Sequence, residues 1–209
     1  HPAQLYLNDF DKNGIPECVL TYYKADGKSY PYYLKNDLVT QIPTLKKKFL
    51  KHIDYAGKTI EEIFDKDQLA SSTVKKAYEF RTCIFMNNGK GKFEKRPMPK
   101  EAQFSPVYAI LAEDFDHDGW KDILLAGNLF GLKPQLGRYD ANYGVFYRGL
   151  AHDKLVYMSP ENSGFFYRGE ARDLKSIENA AHEKTILLAR NNDSLMLFKN
   201  NERNAYDKK

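Results

Sequence analysis

The chain has 209 residues, 42% of them hydrophobic and 29% charged, which is enough for a substantial core or one to two small domains. Its net charge of +4 is small and spread along the sequence, which argues against a nucleic-acid surface. The 15 tyrosines and 13 phenylalanines lean the composition toward strands, and no apolar run reaches transmembrane length.

In chain order, residues 4–23 read as a hairpin. Its strands are Gln4-Leu5-Tyr6-Leu7 and Cys18-Val19-Leu20-Thr21-Tyr22-Tyr23, joined by the acidic loop Asp9–Glu17. Residues 24–34 continue it through an Ala-Asp-Gly-Lys turn into a tyrosine-rich strand from Ser29 to Leu34. Pro43 to Phe64 is the predicted helical stretch. Thr44 is placed to cap its first helix, and Thr59-Ile60-Glu61-Glu62 has the form of a capping box opening a second. Lys46-Lys47-Lys48 with Lys51 reads as one solvated helix face. Thr73 to Met86 returns to extended structure. Glu101 to Gly127 repeats the acidic hairpin, with Val107–Leu111 and Ile123–Gly127 flanking a second loop, Asp114–Asp122. Leu129 to Tyr143 is a long loop. Short strands are expected at Gly144–Arg148, Leu155–Met158, Ala171–Ile177, Thr185–Ala189 and Ser194–Phe198, followed by a polar tail from Asn201 to Lys209.

Both acidic loops read D-x-D-x-[DN]-G-x-x-[DE]. Oxygen side chains fall at positions 1, 3, 5 and 9: Asp9, Asp11, Asn13 and Glu17 in the first loop, Asp114, Asp116, Asp118 and Asp122 in the second. The carbonyl of Ile15 or Trp120 is placed to supply position 7, and glycine at position 6 permits the reversal. A hard cation taking six to eight oxygens suits this set, above all calcium. A helix–loop–helix calcium site would carry Glu at position 12, but that position is Leu20 in one loop and Leu125 in the other. Each loop is therefore expected at the tip of a β-hairpin. Three carboxylates in loop one against four in loop two predict tighter binding at loop two.

Strand–loop–strand units of this pattern resemble the FG-GAP or VCBS repeat, the calcium-loop blade of integrin-α-like β-propellers. Phe85-Met86-Asn87-Asn88-Gly89-Lys90-Gly91-Lys92-Phe93 is similar to the turn that ends many such repeats, and Phe198-Lys199-Asn200-Asn201 is a shorter copy. The stretch from Glu101 to Asn128 resembles VCBS-repeat proteins of Bacteroidota-type bacteria. The first loop departs from the pattern by closing on Glu17 and carrying Pro16 at position 8. The resemblance implies an all-β fold of β-propeller-like blades with calcium-loop hairpins, here with a small helical insertion at 43–70. It implies structural Ca2+ and a place outside the cytoplasm, at a cell surface or the outer-membrane face.

The loops start 105 residues apart, at Asp9 and Asp114. A unit of that length exceeds one blade of roughly 40–50 residues. The expected units are 1–100, carrying the insertion, and 101–204, with 205–209 as the polar tail. Three blades or so cannot close a propeller of about 4–8. The chain, which begins at His1, is therefore read as a piece of a larger propeller.

Cys18 and Cys83 are expected in strands, as small apolar residues or as a disulfide. The five histidines are scattered, and no nucleophile elbow, P-loop or dinucleotide fingerprint appears, so the expectation is no catalytic residue. Phe130, Leu132, Arg138 and Tyr139 in the long loop are types enriched at interfaces and are the candidate partner-binding residues. The expected function is a non-catalytic binding or scaffold segment that engages a protein partner, for example in an outer-membrane complex. The alternative is a carbohydrate-binding or carbohydrate-active subunit, with Tyr30-Pro31-Tyr32-Tyr33 stacking on a glycan.

Overall fold

The computed structural model describes residues 1–180 and 183–200, so the predicted tail from Asn201 and His182 lie outside the described residues. Strand accounts for 38% and helix for 18%, which makes the chain mostly β. All strand pairings are antiparallel, and among the described residues no sheet closes into a barrel. The chain divides into two compact units, His1–Phe80 and Arg81–Lys209. The sequence had suggested a division at residue 100, so the hairpin with the Asn-Asn-Gly turn groups with the second unit instead.

In the first unit, β1 (Ala3–Asn8), β2 (Glu17–Tyr23), β3 (Ser29–Pro31) and β4 (Thr73–Ala77) form one sheet in the order β3-β2-β1-β4. Helices α1 (Lys35–Gln41), α2 (Leu45–Lys48), α3 (His52–Tyr55), α4 (Ile60–Ile63) and α5 (Lys66–Ser71) lie between β3 and β4 in sequence. They run for four to seven residues, too short to stand alone, and are held by buried apolar residues of α1, α2 and α4 and by side-chain bonds such as Gln41 Nε2 to the Cys18 carbonyl and Gln68 Nε2 to the Phe10 carbonyl. Leu38, Ile42, Leu45, Phe49, Ile60, Ile63 and Phe64 join Val19 of β2 and Phe10 of the first loop in a single core. The predicted strand through Leu34 stops at Pro31, and the helical region starts at Lys35, eight residues before Pro43. Leu38 and Ile42, four apart, are both buried, so a helix serves them better than a strand. The capping box at α4 forms as expected: the Thr59 N–H donates to the Glu62 carboxylate at 2.8 Å. Thr44 stands before α2, but its side chain makes no capping bond.

The second unit is three sheets. A hairpin pairs β5 (Cys83–Asn87) with β6 (Phe93–Pro97). A four-stranded meander runs β7 (Val107–Glu113), β8 (Asp122–Gly127), β9 (Val145–Leu150) and β10 (Lys154–Met158), each beside the next. A third sheet orders β11 (Ala171–Glu178), β12 (Lys184–Arg190) and β13 (Met196–Lys199). A short helix, α6 (Pro160–Ser163), follows β10.

The apolar run Ile123-Leu124-Leu125-Ala126 explains the layering. Alternate residues of a strand face opposite sides. Leu124 and Ala126 meet Phe165, Tyr167, Leu174, Ile186 and Leu188 on one side. Leu125, with Ile123 against it, meets Val145, Tyr147, Met98 and Ala102 on the other. Strand β8 is thus covered on both faces, as a continuous apolar strand requires. Both cysteines lie in strands, as expected, and both are free and half-buried.

Candidate metal centre

The two acidic loops fold alike. Each connects a hairpin in which the residue before the loop pairs with position 9: Asn8 with Glu17 and Glu113 with Asp122. Position 4 has a left-handed backbone in both, at Lys12 (φ 61°) and His117 (φ 58°). Glycine at position 6 follows at φ 89° in Gly14 and φ 90° in Gly119, a conformation that disfavours any side chain.

The same hydrogen bonds recur. The position 1 carboxylate accepts two backbone N–H groups, from Asn13 (2.9 Å) and Gly14 (2.8 Å) at Asp9, and from Asp118 (3.2 Å) and Gly119 (2.9 Å) at Asp114. The position 5 oxygen accepts the N–H of position 7, Ile15 to Asn13 at 2.7 Å and Trp120 to Asp118 at 2.9 Å. The position 9 carboxylate accepts the N–H of position 2, Phe10 to Glu17 at 2.8 Å and Phe115 to Asp122 at 2.9 Å.

Position 2 anchors each loop in its own unit. Phe10 is buried and lies against the Phe64 ring, with centroids 4.2 Å apart. Phe115 meets Phe146 edge-on at 6.1 Å. Both carbonyls accept a side-chain amide from elsewhere in the unit, Gln68 Nε2 on Phe10 (2.8 Å) and Asn200 Nδ2 on Phe115 (2.6 Å).

This folding gathers oxygens. Asp9, Asp11 and Glu17 present carboxylate oxygens all within 4.8 Å of one another, and so do Asp114, Asp116 and Asp122. Ligands on opposite sides of a calcium ion at roughly 2.3–2.6 Å stand about 5 Å apart, so both clusters have the span for one ion. Carboxylate oxygens that accept an N–H keep a further lone pair. Hard, anionic oxygens with no sulfur or imidazole suit calcium or magnesium over zinc or copper. Asp122 and Glu17 are buried, while Ile15 and Trp120 expose their side chains. Burial raises the Asp122 carboxyl above the ordinary aspartate value; bonds from Phe115 and Gly149 oppose this, and the Asp116 and Asp118 charges add to it. A cation at the cluster would favour the charged form.

The loops differ in their surroundings. At loop two, Arg148 of β9 reaches Asp116 Oδ2 at 2.5 Å and Asp118 Oδ2 at 3.1 Å. Asp118 stands outside the carboxylate cluster. The neighbouring Gly149 N–H donates to Asp122 Oδ1 at 2.8 Å. Sequence reasoning missed Arg148 and Gly149, the latter 27 residues beyond Asp122 at the motif's end. A faint signal exists: Phe-Tyr-Arg-Gly occurs at 146–149 and again at 166–169. Both of its tyrosines are fully buried with the hydroxyl on a backbone N–H, Tyr147 on Ala102 and Tyr167 on Gly127.

The long loop is closed on itself by paired backbone bonds between Leu129 and Tyr139. Its ends are held by a buried network. Asn128, at φ 86°, donates to the Asn142 and Gly169 carbonyls, and the Tyr167 hydroxyl donates to Asn142 Oδ1. Among the candidate partner residues, Tyr139 and Arg138 are exposed, and Phe130 and Leu132 are half-buried. The Arg138 guanidinium lies 5.1 Å from the Phe130 ring centroid. Phe130, Gly169, Glu170, Asn191 and Asp193 border an open cleft of about 430 Å3. Among the described residues, no helix is long and apolar enough to cross a membrane. No family model matches the chain, and no curated protein or solved structure is found similar to it.

Proposed function

We propose that this chain is a calcium-stabilised, non-catalytic binding or scaffold segment of a β-propeller-like protein at a cell surface or in a secreted complex. The observation that carries the reading is the pair of loops with one hydrogen-bond pattern, one hairpin register and one cluster of hard oxygens in each unit. The meander β7-β8-β9-β10 supports it, since four antiparallel strands in sequence order are the build of a propeller blade. The metal's role is structural: three carboxylates within 4.8 Å repel one another without a cation, so ion binding and folding are coupled. Extracellular modules hold calcium with dissociation constants of about 10⁻⁴–10⁻³ M, matched to the calcium outside cells. Tyr139 and Arg138 on the closed loop are the side chains placed to meet a protein partner.

The test is a thermal melt with chelator and with millimolar calcium. Wild-type Tm should rise with calcium, and Asp11→Ala and Asp116→Ala should each remove part of the rise. A Tm indifferent to calcium would make the loops plain turns and sink the reading.

The cleft beside Phe130 favours carbohydrate as a second reading, since a single ring flanked by carboxylate and amide side chains is the chemistry that holds a sugar. Glycan-array binding lost in Phe130→Ala would favour it over a protein partner.

A further inference from the structure

We infer that Arg148 is a built-in counter-ion for loop two, which competes with a divalent cation there and makes loop one the tighter of the two sites. The inference rests on the metal reading above and concerns how the two sites are graded.

Counting ligands alone favours loop two, with four carboxylates against three. Arg148 reverses the comparison. Its guanidinium pairs with both Asp116 Oδ2 and Asp118 Oδ2. One positive charge brings loop two's four negative charges to the same net value as loop one's three. Two of loop two's four motif carboxylates, Asp116 inside the cluster and Asp118 beside it, are then also committed to a positive partner. The Asp116, Asp118 and Arg148 side chains are each only about a quarter to a third exposed, so water screens the pairing incompletely. The position 9 ligand is more committed as well: Asp122 accepts Phe115 N–H on one oxygen and Gly149 N–H on the other. Among the described residues, Glu17 accepts Phe10 N–H alone, on Oε2. Among the described residues, no ion pair reaches Asp9, Asp11 or Glu17.

Two consequences follow. Without calcium, loop two is held by Arg148 as well as by its backbone N–H groups, while the carboxylates of loop one have backbone N–H partners alone among the described residues. An ion entering loop two competes with the guanidinium for Asp116 and Asp118, so loop two fills later than loop one as calcium rises.

The loops can be read separately. Trp120, the one tryptophan of the chain, sits at position 7 of loop two. Terbium emission excited through tryptophan therefore reports loop two, and calcium displaces it. Calorimetry on Asp116→Ala reports loop one. In the wild type, loop one should fill at lower calcium than loop two. Arg148→Met should lower the calcium needed at loop two by about tenfold, the factor that corresponds to ~1.4 kcal/mol of lost competition. Arg148→Gln, which removes the charge but keeps a donor, should do the same and carries the test if the methionine variant does not fold. Loop-two affinity that is unchanged or weaker in the charge-removing variants, with loop one still binding, would overturn the role of Arg148 alone. Calcium binding at neither loop in any variant would overturn the metal reading itself.

Discussion

Glu170 shows what a single carboxylate does in the second unit. It is buried, and its oxygens accept the Phe130 N–H at 2.6 Å, the Asn191 amide at 2.7 Å and the Arg172 guanidinium at 2.9 Å. Those partners, the Phe130 N–H first, hold its carboxyl below the ordinary glutamate value. The folded state thus favours the charged form. The stabilisation is fully present above the unfolded value of about 4.3 and is lost as pH falls through the lower folded value. Glu170→Gln should therefore lower Tm at neutral pH, and the gap to wild type should narrow as the melts move to pH below about 4.3. A gap that does not change with pH would mean the carboxylate charge plays no part. Tyr167 belongs to the same neighbourhood. Burial pushes its hydroxyl up to about 12, so it stays a neutral donor and acceptor at physiological pH. Tyr167→Phe removes the oxygen that receives Gly127 N–H and gives to Asn142, and should cost about 1–3 kcal/mol in urea unfolding.

At the scale of elements, each loop is joined to its unit through position 2 and position 9 together. Phe10 fills core space while its N–H fixes Glu17, so packing and ligand placement are one interaction. Phe10→Ala should cost about 3–5 kcal/mol and weaken calcium binding at loop one, a pairing that urea unfolding and calorimetry would check. Loop two leans on strand β9 as well. An added Cβ at Gly149 would come within 2.2 Å of the Lys121 carbonyl oxygen, so no larger residue lets β9 approach. Gly149→Ala should push β9 away from Asp122 and cost at least about 1–3 kcal/mol. Unchanged stability in that variant would show that β9 does not hold the loop.

For the whole molecule, each unit carries one loop and its own core, cluster by cluster. On the calcium reading proposed above, the ion should slow backbone hydrogen exchange in both units. Asp11→Ala should remove the effect within His1–Phe80 while leaving it in the second unit, and Asp116→Ala should do the reverse. Protection lost across the whole chain in either variant would mean the two loops stabilise one cooperative body.

The sequence by itself determined the loops, because all their ligands are contiguous and glycine is needed where φ turns positive. It also determined that each loop would tip a hairpin and that Thr59 would open a capping box, since these depend on neighbours within a few residues. Most strands of the second unit were legible for the same reason, from short apolar runs between turn residues. Helix α1 was not, because Leu38, Val39 and Ile42 are too few to set a period, and their helical spacing matters only once the distant residues of the same core, Ile60 and Phe64 among them, gather around it. Nor were the separation into three sheets, the buried Asn128–Asn142–Tyr167 network or Arg148. Each of these depends on which distant strand the chain brings alongside, and a local pattern carries no record of that choice. The candidate ion site was thus written in nine consecutive residues, twice. Its charge balance was settled by a guanidinium that only the tertiary fold delivers.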